Sequence, residues 1–255
     1  MRDQAEGKQS KKGQTGLKTQ IWIEDTIMGM EADYNWDQRE NNMGKFITFE
    51  GGEGSGKTTH LQSIATYLRA CGFSVRTTND PGGAEISIML RPILLDKNYK
   101  VSREAEFLLY LAARAELVNK VILPNLERVD FVLCDRFFDS TAVYQGIIRG
   151  WNNVLMDGFY ETFLGFMHEN FCHNIQPHTT FLFDVNPVLG LNRSLGEEKD
   201  ESRWEEEGLA IHTRINDAFL DLAQDNPRFY VIDANQEIGE VFDDVKDIFK
   251  REVIK

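Results

Sequence analysis

The sequence predicts an α/β fold, a doubly wound parallel sheet of five strands with helices on both faces. Two observations predict it. Short apolar runs alternate with stretches of helical period along 44–250, so a helical crossover separates each strand candidate from the next, as a parallel sheet requires. The first apolar run also breaks into a glycine-rich turn and then a helical pattern, the usual entry to a phosphate-binding crevice at the carboxyl ends of parallel strands.

Taken in order, residues 1–42 are polar and carry eight acidic against six basic residues without helical or strand period. Such a stretch cannot bury enough surface to offset its ordering entropy, so a disordered N-terminal extension is expected over 1–42. Met43 is the expected functional start of a domain spanning 43–255. FITFE at 46–50 is a short buried strand, and Leu61, Ile64, Ala65 and Leu68 follow at helical spacing up to Gly72. FSVRTT (73–78), FVLCD (131–135), TTFLFDV (179–185) and RFYVID (228–233) are the remaining strands. Helices are expected at about 84–95, 103–128, 154–171, 187–195, 206–224 and 237–250. Pro124 removes a backbone donor and should kink or end its helix near Leu123, whereas Pro187 suits a helix start. The acidic, glycine-flanked stretch GEEKDESRWEEEG at 196–208 reads as a mobile lid.

Composition narrows the function. A net charge of -13 opposes binding to a nucleic acid polymer, although a few placed arginines can still hold a single nucleotide. Three cysteines without a CxxC pair fit neither a disulfide framework nor a zinc ribbon, which makes a cytoplasmic setting the expectation. No apolar run reaches the roughly 18 residues a membrane span needs, so no membrane partner is expected, and the Asn192-Arg193-Ser194 sequon reads as accidental.

The glycine-rich turn satisfies GxxxxGK[ST] between a strand and a helix, the P-loop arrangement. Gly51, Gly52, Glu53, Gly54, Ser55, Gly56, Lys57, Thr58 and Thr59 are the expected ATP-binding residues. The glycines let backbone N–H groups turn inward around phosphate oxygens, Lys57 reaches the outer phosphates, and Thr58 offers a hydroxyl to Mg2+. Asp135, at the end of a strand, is the second expected Mg2+ ligand. A strand can also end in Asp-Arg merely as a salt-bridged exit; the glycine turn makes the functional reading the better one.

Four blocks in order then carry a resemblance: FITFEGGEGSGKTT; DPGG with LRPILLD behind it; EFLLYLAARAELV; and DRFFDSTAVYQG with Arg149-Gly150 after it. Over about 44–250 the chain resembles bacterial thymidylate kinases, P-loop nucleoside monophosphate kinases. The resemblance implies a homodimer that converts dTMP and MgATP to dTDP and ADP. It implies that Tyr110 stacks on the thymine ring, that Arg114 bonds a thymine carbonyl, and that Ser140, Thr141 and Gln145 line the base edge. Tyr144 would pack beneath the deoxyribose, Glu53 would face the 3′-hydroxyl, and Arg91 and Arg136 would grip the acceptor phosphate. In the lid, Arg203 would stabilise the transferring phosphoryl group, with Lys199 in reserve; Lys57, Arg136 and Arg203 are thus the implied catalytic residues.

The residue chemistry suits these roles. Tyr110 and Arg114 lie four apart and share a helix face, and a planar arginine fits bidentate phosphate contact. The ordinary alternatives are a core aromatic at Tyr110, a solvated charge at Arg114 and a loop salt bridge at Arg203. The chain departs from the family pattern in Asn79, where an arginine is usual, in Phe137 for tyrosine, and in Ser202 for an acid. His168, Cys172, His173 and His178 are close enough for a metal site, against an ordinary helix end and loop. Two other functions remain open at this stage: a kinase for another deoxynucleoside monophosphate, and a nucleotide-binding sensor that transfers nothing.

Overall fold

The computed structural model describes residues 43–96, 98–150, 159–195, 204 and 207–254, with 159–163 and 195 described by backbone alone. The expected extension 1–42 and most of the expected lid lie outside these residues. The elements run β1 Lys45–Gly51, α1 Lys57–Ala70, β2 Val75–Asn79, α2 Glu85–Leu95, α3 Arg103–Leu117, α4 Leu123–Leu126, β3 Phe131–Asp135, α5 Phe138–Thr141, α6 Phe159–Phe171, β4 Thr179–Asp184, α7 Pro187–Leu195, α8 Leu209–Ala223, β5 Phe229–Asp233 and α9 Ile238–Ile248. Wide π turns follow α3, α5 and α9, at Val118–Ile122, Ala142–Ile148 and Phe249–Val253.

The five strands form one parallel sheet in the order β2-β3-β1-β4-β5. Helical crossovers on alternate faces produce this doubly wound order, and β1, with neighbours reached in opposite directions, marks the switch point where a crevice opens. Register brings the strand ends level: Asn79 pairs with Asp135, and Asp135 with Phe49, just before the glycine turn.

Pleating divides β1 between two cores. Ile47 and Phe49 face α1 and α9, packed with Leu61, Ile64, Leu68, Phe181, Val241 and Val245. Phe46 faces the other way, with Val132, Cys134, Leu117, Val121 and Ile122. Further along that second face, Leu182 packs with Ile215 and Phe219 of α8 and with Tyr144 and Trp204. Both faces are covered, which is why apolar residues of β1 point to both sides, with Phe46 on one face and Ile47 and Phe49 on the other.

The helix does not end at Pro124 but runs on to Leu126. The Val118–Ile122 π turn bonds the Leu123 N–H to Val118 O, and the Asn125 side chain donates to Val121 O at 2.7 Å, so one more helical turn fits before Leu126. Pro187 does open its helix, where Asn186 caps the N–H groups of Val188 and Leu189. The helix and π turn over 138–148 were not expected from the sequence, and they carry much of the site.

Candidate active site

The glycine turn lies between β1 and α1 and is clamped against α7. Gly54 has φ 66, and a Cβ there would meet Gly190 O at 1.9 Å, so both conformation and space demand glycine. Gly56 begins α1 without a side-chain cap, so the first N–H groups of the helix are left for an anion. Lys57 folds over the turn and donates to Gly52 O at 2.8 Å. Burial, reinforced by the neighbouring Arg136 charge, pushes its pKa down to about 8. Ser55 is buried beside it, and its Oγ has no hydrogen-bond partner.

Thr58 Oγ1 donates directly to Asp135 Oδ2. The hydroxyl and carboxylate expected to hold Mg2+ are therefore neighbours at the mouth of the turn, a set of hard oxygen donors that fits that ion.

Arg136 follows Asp135 with φ 67, a left-handed conformation costly for a residue with a side chain. Its own N–H bonds Phe49 O at 3.0 Å, and the next N–H, of Phe137, bonds Glu50 Oε1 at 2.7 Å. Those bonds hold the turn and aim the guanidinium inward, where Nη2 meets Glu53 Oε1 at 2.9 Å and Nη1 meets Ser140 Oγ at 3.0 Å. Tyr144 lies beneath it, ring centre 5.0 Å from the guanidinium carbon, and donates its hydroxyl to Glu53 at 2.8–2.9 Å. Burial alone would raise the Glu53 pKa, but Arg136 and Lys57 outweigh it and hold the carboxyl below its usual value.

Arg114 is 2% exposed and reaches across from α3. Its Nε donates to Asp80 Oδ2 at 2.6 Å, and its Nη2 to Thr141 Oγ1 at 2.5 Å and Phe137 O at 3.2 Å. Nη1 is buried without a hydrogen-bond partner, a donor left over for a ligand carbonyl. Asn79, at the family's usual arginine position, turns inward and donates to Pro81 O at 2.8 Å; Arg91 Nη1 donates to the same oxygen at 2.5 Å. This residue therefore supports the Asp80–Pro81 loop while also lining the crevice.

One cavity of about 410 Å³ is lined by Glu53, Arg91, Tyr110, Arg114, Arg136, Ser140, Thr141, Tyr144 and Gln145, and also by Gly54, Lys57, Thr58 and Asp135. Residues expected to hold the acceptor and residues expected to hold ATP and Mg2+ thus share one space, although they come from the glycine turn, α1, α2, α3, the end of β3, α5 and the turn after it. Trp204 also lines it, packed edge-on against Tyr144 at 4.8 Å between ring centres. Arg203 and Lys199 lie outside the described residues.

Several residues of the site were given no role from the sequence. Glu50 is fully buried and accepts from both Phe137 N and Ser140 Oγ, at 2.7 and 2.6 Å. Burial, with Asp139 adding to it, lifts its pKa to about 8. Asp80 anchors Arg114, Glu106 holds Gln145, and His212 sits with Nδ1 3.9 Å from Glu53 Oε2. An acid closing an otherwise apolar strand was the available signal for Glu50. The histidines considered for a metal are engaged elsewhere: His168 Nε2 with Ile175 O at 2.7 Å, His173 Nε2 with Asn119 Oδ1 at 2.8 Å, and His178 Nδ1 with the Phe46 N–H at 2.9 Å.

Comparison with known proteins gives a consistent answer. The family model described as thymidylate kinase matches residues 49–245. The thymidylate kinase of Syntrophus aciditrophicus is 41% identical over 214 residues, 80% of this chain and 93% of its own. That of Deinococcus radiodurans is 40% identical over 201 residues, 78% of this chain and 93% of its own. The crystal structure of thymidylate kinase from Ehrlichia chaffeensis superposes with a TM-score of 0.63 at 29% identity, covering 82% of this chain and 99% of that one.

Proposed function

The chain belongs to the thymidylate kinase family, and from that membership we propose that it transfers the γ-phosphoryl group of ATP to dTMP, giving dTDP and ADP. The observation that carries this reading is the single cavity onto which Lys57, Thr58 and Asp135 open together with Tyr110, Arg114 and Gln145. A donor phosphate at the glycine turn and an acceptor phosphate at Arg136 would face each other there.

The acceptor phosphate is already ionised and nucleophilic at neutral pH, so the chemistry asks for alignment and charge neutralisation and not for a general base. The amides of the glycine turn and Lys57 hold the outer phosphates of ATP. Arg136 and Arg91 hold the acceptor phosphate, Tyr110 stacks on the base, and the spare Nη1 of Arg114 donates to a base carbonyl. Ser140, Thr141 and Gln145 line the base edge, Tyr144 packs beneath the sugar, and Glu53 meets its 3′-hydroxyl. Thr58 and Asp135 would hold Mg2+, which supplies charge neutralisation on the phosphate oxygens when bound. Arg203, from the lid at 196–208, completes the neutralisation of the moving phosphoryl group.

The active form is a homodimer. Ile86, Ile88 and Met89 on α2, Leu108 on α3, and Phe166 and Phe171 on α6 are all about half exposed, large apolar side chains of the kind a second copy would cover. The setting is cytoplasmic: Cys71, Cys134 and Cys172 are all unpaired, and among the described residues no helix is long and apolar enough to cross a membrane. A coupled assay of ADP release with dTMP tests the activity. Turnover that collapses in Lys57→Ala supports the reading, and equal turnover in that variant rejects the role of Lys57.

A further inference from the structure

Gln145 has its amide settled by a neighbour. Its Nε2 donates to Glu106 Oε1 at 3.0 Å, and both side chains are buried. A carboxylate accepts and cannot donate, so the NH2 end of the amide must face Glu106, and the carbonyl Oε1 is the end left for the cavity that Gln145 lines. Glu106 is itself held in place: Arg149 Nε lies 3.5 Å from Glu106 Oε1, while its Nη1 bonds Glu207 at 3.1 Å and its guanidinium carbon stacks 4.2 Å from the Trp204 ring centre.

Resting on the thymidylate kinase reading, we propose that Glu106 is a positioning residue that selects the base. By fixing Gln145 with its carbonyl oxygen inward, it makes the slot offer one acceptor, Gln145 Oε1, alongside one donor, Arg114 Nη1. A pyrimidine-2,4-dione carries an N–H at N3 next to the carbonyl at C4 and matches that pair. Cytosine presents a bare acceptor at N3 and an amino group at C4, which sets acceptor against acceptor and donor against donor. With the amide reversed, the Gln145 position would instead favour cytosine, so the identity of residue 106 decides which base this position admits. Mismatched buried polar groups discriminate far more strongly than a missing methyl, which makes this pair the natural source of discrimination against dCMP.

The test compares kcat/KM for dTMP and dCMP, with MgATP, in the full-length wild type, Glu106→Gln, Glu106→Asp, Gln145→Ala and the Gln145→Ala/Glu106→Gln double variant. Glutamine at 106 can accept or donate and so frees the Gln145 amide to turn; the dTMP-to-dCMP ratio is expected to fall by about tenfold or more, the effect of one reversed hydrogen-bond pair. Aspartate still only accepts, and should keep the wild-type ratio even if dTMP turnover falls. In the Gln145→Ala background the Glu106→Gln change should leave the ratio where it is, because Glu106 acts through that amide. An unchanged ratio in Glu106→Gln, or an equal fall in both backgrounds, overturns the proposal. A wild type that fails to use dTMP rejects instead the kinase reading beneath it.

Discussion

Arg136 Nη2 lies 2.9 Å from Glu53 Oε1, so the guanidinium expected to hold the acceptor phosphate is balanced by a carboxylate from the glycine turn. The two side chains are 18% and 11% exposed, and Tyr144 adds its hydroxyl to the same carboxylate. Burial alone would lower the pKa of Arg136, but Tyr144, Glu53, Glu50 and Asp135 more than reverse this, so the charge is permanent. A phosphate entering the slot meets a cation already aimed by its surroundings. Such preorganisation is what makes charge stabilisation effective in phosphoryl transfer.

Arg136→Ala should lower kcat/KM for dTMP by about 10²-fold or more, the usual consequence of deleting one preorganised donor. Arg136→Lys should recover little of it, since an ammonium cannot span Glu53, Ser140 and a phosphate together as the planar fork does. Steady-state kinetics with dTMP varied at saturating MgATP measures both.

Lys57 links ATP binding to pH. Its pKa of about 8 means that the amine is charged below that value and increasingly neutral above it. Phosphates favour the charged form, so ATP raises the pKa. Binding should therefore take up protons around pH 8 and above, do so negligibly near pH 6, and weaken as pH rises through 8. Calorimetry in buffers of differing ionisation enthalpy counts the protons, and Lys57→Ala should remove the share that Lys57 supplies, leaving only what the Glu50 carboxyl, lifted to about 8, contributes.

The ion pair between Arg114 and Asp80 spans 2.6 Å with both side chains almost wholly buried. Asp80→Asn leaves the guanidinium in the interior without its counter-charge, and should cost about 3–5 kcal/mol of stability, read by chemical denaturation. The KM for dTMP should rise as well, since the freed guanidinium no longer holds Nη1 in place.

Methyl recognition should be weaker than edge recognition. One methyl in an apolar pocket is worth about 1–3 kcal/mol, so dUMP should be used with kcat/KM roughly 10–200-fold below dTMP and not excluded. A direct comparison of the two nucleotides checks this.

The strands, most helices and the glycine turn were legible because each is written in consecutive residues: an apolar run, a helical period, a motif of eight positions. The Phe138–Ile148 segment was not, since its inward side chains include Asp139, Ser140, Thr141 and Gln145, and buried polar residues carry no hydrophobic period. The roles proposed for it rest on family resemblance. Partnerships were the least visible. Glu50 meets Phe137 and Ser140 across 87 and 90 positions, Asp80 meets Arg114 across 34, and Glu106 meets Gln145 across 39. Nothing local marks such pairs; only the fold that levels the strand ends and stacks α3 beside them brings them together.

In the proposed reaction, one cavity sets an ATP phosphate against the phosphate of a thymine nucleotide. The most direct measurement supplies MgATP with dTMP, dUMP, dCMP or dGMP and separates the products by chromatography. Rapid dTDP, slower dUDP and little dCDP or dGDP are expected. ATP and dTMP both bound with no dTDP formed, or another nucleotide preferred over dTMP, would contradict the proposed reaction.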